Sequence, residues 1–78
     1  MAIVKLIELV GTSPISWEDA ARNAVTEATE TVRDITGVDV INQTAVVKNG
    51  AIVEYRANVK IAFIVESVKG PRVIKVGR

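Results

Sequence analysis

Asn49-Gly50 separates two runs of strand-forming residues and specifies a hairpin, because both central positions of a type I′ turn need the positive φ that this dipeptide tolerates. The run that follows is the most demanding feature of the chain. From Ala51 to Glu66 one parity reads Val53, Tyr55, Ala57, Val59, Ile61, Phe63 and Val65, while the other reads Glu54, Arg56, Asn58 and Lys60. Such alternation predicts one strand whose apolar parity faces the core. At ~3.3 Å per residue the strand would extend about 50 Å. A compact chain of 78 residues has a radius of gyration of only about 12 Å. The strand must therefore curl strongly, run past its own domain, or both.

Only one helix is available to cover it. Residues 16–35 follow helical spacing, with Trp17, Ala21, Ala24, Val25, Ala28, Val32 and Ile35 on one stripe. Ser16 is placed as N-cap with Asp19 as a shortened capping-box partner, Glu18 and Asp19 suit the positive end of the dipole, and Arg33 suits the negative end. Gly37 is expected to close the helix in a left-handed conformation. Gly11 to Ile15 reads as a turn, residues 2–10 as a first strand and Val38 to Lys48 as a second. The stripe is largely alanine, so its partner must approach closely. One helix covers one face of a three-stranded sheet, yet Ile52, Ala62, Ile64 and the first strand carry apolar groups on the other. This predicts an obligate homo-oligomer.

Composition removes several function classes. The chain has neither His nor Cys, which excludes imidazole and thiol chemistry and any disulfide framework. A net charge of +1 leaves no electrostatic footprint for nucleic acid. No apolar run approaches a membrane span, and residues 1–5 alternate instead of forming a signal core, so no membrane is expected and the expected location is the cytoplasm. The last twelve residues, Ser67 to Arg78, read as a basic C-terminal extension beyond a domain at 1–66. They form either a free tail or a short strand, Arg72–Val76, added to an edge or a neighbouring subunit.

No catalytic constellation is present, and the phosphate-loop patterns are absent. Ser13 and Ser16 fit turn and cap duty. Trp17, at the start of the apolar stripe, is expected to anchor the core. Glu54, Arg56, Asn58 and Lys60 form a mixed-charge face suited to solvent or to salt bridges across a symmetry axis. Glu8, Asp39 and Glu54 are candidate oxygen ligands for Ca²⁺ or Mg²⁺, without an EF-hand loop.

Glu8-Leu9-Val10-Gly11-Thr12-Ser13-Pro14, then Ser16-Trp17-Glu18, Ala20 and Asn23-Ala24, resembles the signature of the dodecins, as does the ending in Tyr55 and Ala62-Phe63. The resemblance covers about residues 3–66. It implies an α+β domain, β-α-β-β, with a three-stranded antiparallel sheet wrapped around one helix and twelve copies forming a hollow shell. It also implies a non-enzymatic binder that stores or buffers flavins such as FMN or riboflavin. Some members hold coenzyme A, and a calcium-binding variant exists.

The same resemblance places the cofactor site at Gly37, Gln43, Arg56 and Ile64. Gly37 stands where flavin-binding members carry a Trp that sandwiches paired isoalloxazine rings. Arg56 replaces a ring-edge Gln, and Ile64 replaces a basic residue that meets the cofactor phosphate in some members. Losing a stacking face removes roughly 1–3 kcal/mol per ring, by analogy with base stacking. The alternative is a structural or calcium-binding shell with no organic cofactor.

Overall fold

The computed structural model describes residues 2–66. The elements run β1 (Ala2–Ser13), α1 (Trp17–Ala28), β2 (Ile35–Lys48) and β3 (Ala51–Glu66). They build one antiparallel sheet in the order β1-β3-β2, so the long alternating strand is central and β1 and β2 are edges. Asn49 and Gly50 have φ of 53° and 78°, the left-handed pair that the hairpin demands. The described chain measures 60 × 19 × 13 Å with a radius of gyration of 17.1 Å. The central strand thus outruns the helix, as its length requires.

β3 turns the expected parity toward α1: Ala57, Val59, Ile61 and Phe63 are buried there. Ala20, Ala24 and Ala28 meet them, spaced four apart so that they share one face of the helix. Ala20 was not part of the stripe read from the sequence, yet it is fully buried. Among the described residues this core holds seven buried apolar residues, against eleven large apolar side chains that stay 43–71% exposed. A chain this small already buries little of its unfolded surface.

Three expected boundaries move. β1 continues through Gly11 to Ser13, because Gly11 pairs with Ala57 and Ser13 with Tyr55; the turn is confined to Pro14-Ile15. α1 ends at Ala28, not Ile35. The Thr29 and Thr31 hydroxyls bond back to the Thr26 and Ala28 carbonyls at 2.6 and 3.3 Å, and the amides of Glu30 and Thr31 shift to i→i−3 bonds. Arg33 therefore lies beyond the helix and leaves its last turn without a cation. Gly37 is not a helix cap: β2 begins at Ile35, and the left-handed residue is Asp34, with φ 60°. The Asp34 carbonyl accepts a bond from the Ile64 amide at 3.1 Å, which ties the reversal to β3. The extension from Ser67 to Arg78, with its strand reading at Arg72–Val76, lies outside the described residues.

Candidate functional site

The turn into α1 is the most polar part of the structure that is also buried. Ser16 caps as expected, accepting from the Asp19 amide at 3.0 Å. Asp19 does not close a capping box. Its Oδ2 accepts the hydroxyl of Ser13 at 2.7 Å, and that hydroxyl oxygen accepts the Ile15 amide at 2.9 Å. Ser13 is 2% exposed, so the turn is held by a satisfied internal network and its hydroxyl is not presented to a substrate. Asn23 completes it by donating to the Thr12 carbonyl at 2.9 Å. Beside that contact, a groove of about 370 Å³ runs between β1 and α1, lined by Leu9, Gly11, Thr12, Ala24 and Glu27 among others. It lies on the helix side of the sheet and contains none of the candidate cofactor or metal residues, Gly37, Gln43, Arg56, Ile64, Glu8, Asp39 and Glu54.

Trp17 sits outside the buried cluster, half-buried at the start of α1. Its indole N–H donates to the Thr44 carbonyl at 2.7 Å, and its ring meets Tyr55 edge-to-face at 4.9 Å and 77°. It anchors the helix to the sheet by its polar handle and ring edge, and not by core burial. Sequence spacing could not supply the Thr44 contact, which joins residues 27 apart.

The sheet face turned away from α1 carries most of the expected site residues. Strand pairing sets them in rows. Ile64 lies opposite Val4; Ala62 lies between Leu6 and Gly37; Lys60 lies between Glu8 and Asp39; Arg56 lies between Thr12 and Thr44; Glu54 lies opposite Val46. Gly37 and Ile64 are thus in adjacent rows. Arg56 is six residues along β3 from Ala62, about 20 Å. Gln43 pairs with buried Ala57 and so belongs to the helix side. One protomer therefore gathers Gly37 and Ile64 but separates them from Arg56 and Gln43. A β-carbon added at Gly37 would meet nothing within 4 Å among the described residues, so the space directly over this position is open. The Arg56 Nε donates to Glu54 Oε2 at 2.7 Å.

The three candidate cation ligands share this face but do not converge. Glu8 and Asp39 pair with Lys60 in one row of the sheet, and neither carboxylate forms an ion pair among the described residues. Glu54 is six residues away along β3 and bonded to Arg56. No group of three His, Cys, Asp or Glu able to hold a metal exists within the described residues of one protomer. Among the described residues of one chain, Glu8, Asp39 and Glu54 do not come together as a group.

No helix among the described residues is long and apolar enough to cross a membrane. Comparison with known proteins gives a consistent picture. The family model described as Dodecin matches residues 3–66. The calcium dodecin of Mycobacterium tuberculosis is 40% identical over 63 residues, covering 81% of this chain and 89% of that protein. A crystal structure of the same calcium dodecin, described as calcium chelating with a novel calcium-binding site, superposes with a TM-score of 0.73 at 37% identity, covering 88% and 99% of the two chains. Dodecin from Streptomyces coelicolor superposes with a TM-score of 0.82 at 30% identity, covering 86% of this chain and 96% of its own. The matching order of strands and helix, and a family match over nearly all the described residues, place this chain in the dodecin family.

Proposed function

We propose that this dodecin assembles into a closed shell of twelve copies and acts as a non-catalytic binder, with calcium as its ligand before any flavin. The surplus of exposed over buried large apolar side chains supports the assembly. The observation that carries the ligand choice is on the outer sheet face. Gly37 offers no ring for stacking and Arg56 is engaged by Glu54, while Glu8 and Asp39 present carboxylates without ion-pair partners among the described residues. Two carboxylates fall short of the six to eight oxygens that calcium takes, so Glu8, Asp39 and Glu54 would serve together only where neighbouring copies add theirs. The 40% identical calcium dodecin supports the same choice. The proposed setting is the cytoplasm, and the partner is the chain itself.

A second reading rests on the row formed by Leu6, Ala62 and open Gly37. That row leaves room for a planar ligand such as FMN or riboflavin, or for part of coenzyme A, at Gly37, Arg56, Gln43 and Ile64 brought together from several copies. Calorimetric titration with Ca²⁺, FMN, riboflavin and coenzyme A separates the two. Calcium heat that chelator abolishes, without quenching of flavin fluorescence, supports the first reading. Flavin quenching without calcium heat overturns it in favour of the second.

A further inference from the structure

Beyond Tyr55 the sheet narrows to a two-stranded arm. β1 makes its last pair at Ser13–Tyr55, so among the described residues 46–54 have no third strand beside them. The base of the arm is clamped, since the Trp17 indole N–H donates to the Thr44 carbonyl at 2.7 Å and its ring meets Tyr55. The tip is not. The register shifts between the pairs Val46–Glu54 and Val47–Ile52, leaving Val53 as an extra residue on β3. A bulge of this kind interrupts the ladder, and past it only Val47–Ile52 and Lys48–Ala51 pair before the turn. An isolated two-stranded hairpin is marginally stable in water, so the tip belongs to the part of the molecule that opens first.

We propose that Asn49, at this tip, is a site of spontaneous covalent modification: the Gly50 backbone nitrogen attacks the Asn49 side-chain amide and deamidates it. A bond forms between that nitrogen and Cγ, closing a succinimide ring. The bond from Cγ to the side-chain nitrogen breaks, and ammonia leaves with the proton that the Gly50 nitrogen gives up. Water then opens the ring at either carbonyl, to aspartate or to isoaspartate, and nothing is oxidised or reduced. A β-carbon at Gly50 would meet nothing within 4 Å, and Gly50 itself has none to shield the attacking nitrogen. The Asn49 side chain makes no hydrogen bond among the described residues. The other asparagines differ. Asn23 lies in α1 before Ala24 and donates to the Thr12 carbonyl, while Asn42 and Asn58 pair with each other inside the sheet and precede Gln43 and Val59. A closed type I′ turn holds ψ of Asn49 near about +30°, and ring closure needs that bond rotated, so the reaction proceeds through the opened tip. Aspartate keeps the left-handed turn, whereas isoaspartate adds a backbone carbon and loses it. Either product adds a carboxylate and takes the formal net charge of the chain from +1 to zero.

Nucleophile and amide are adjacent in the chain and water is the only co-reactant, so the inference is independent of the ligand reading. The full-length protein, as it assembles, is incubated in mildly alkaline buffer beside a synthetic peptide of residues 46–54. Cleavage at Glu30 and Glu54 releases one peptide holding both Asn42 and Asn49. Mass spectrometry then reads the site and its internal control together, and isoaspartyl methyltransferase labelling counts isoaspartate. The expected rate at Asn49 is within about tenfold of that in the free peptide and at least about tenfold above that at Asn42. Asn49→Asp, which keeps a turn-forming Asp-Gly, should retain the fold and lose the mass change. A rate at Asn49 more than about tenfold below the peptide, as a tip held shut by its own ladder or by neighbouring copies would give, overturns the proposal. Conversion at Asn42 within that same factor of Asn49 overturns it too.

Discussion

Gly11 of β1 passes so close beneath Ala20 of α1 that a β-carbon on Gly11 would stand 2.0 Å from the Ala20 carbonyl oxygen and 2.9 Å from the Ala24 β-carbon. The obstacle is helix backbone, which cannot turn aside as a flexible side chain would. Gly11→Ala should therefore lift α1 off the sheet and cost at least the ~1–3 kcal/mol typical of overpacking. Denaturant unfolding checks this; a midpoint unchanged from the parent chain contradicts the close approach.

The Ser13–Asp19 bond predicts a coupling. Ser13→Ala removes a buried donor and leaves the Asp19 carboxylate and the Ile15 amide short of partners, at about 1–3 kcal/mol. Once Ser13 is gone, Asp19→Ala should cost less than it does in the parent. A double-mutant cycle with zero interaction energy would show that the two side chains act separately.

Ile61 is fully buried at the centre of the alanine-lined interface. Ile61→Ala should cost ~2–5 kcal/mol through lost burial and the cavity left behind. Surface Arg22→Ala, which breaks an exposed ion pair with Glu18, should change stability by less than about 1 kcal/mol. Thermal melts of the two variants test the ranking.

Asp34 supplies the left-handed residue that releases the chain into β2. Replacement by Gly should be neutral or stabilising by up to about 1 kcal/mol, whereas Asp34→Val should destabilise by about 1–2 kcal/mol. Opposite signs in chemical denaturation are the expected outcome. Two equal losses would place the role of Asp34 in its carboxylate and not in its backbone.

These residues also mark what the sequence could and could not convey. The hairpin at Asn49-Gly50 and the alternation of β3 were legible because each follows from a local rule: paired positive φ, and side chains pointing to opposite faces. The N-cap at Ser16 was legible for the same reason. The end of α1 was not. Val32 and Ile35 keep helical spacing, yet pack against the core from beyond the helix, so spacing alone extended it seven residues too far. Gly11 and Gly37 were both read as chain reversals. The first is a close packing contact and the second a strand residue at a shift in the β2–β3 register, distinctions that depend on what lies across the sheet. The family resemblance located Gly37, Gln43, Arg56 and Ile64, but only strand register separates them by face and by row.

The central claim is that the exposed apolar surface of this chain is covered by copies of itself. Native mass measurement at micromolar concentration tests it most directly. With a chain of 8.4 kDa, twelve copies predict a single species near ~100 kDa that persists on dilution. A stable, folded species at the mass of one chain would contradict the account.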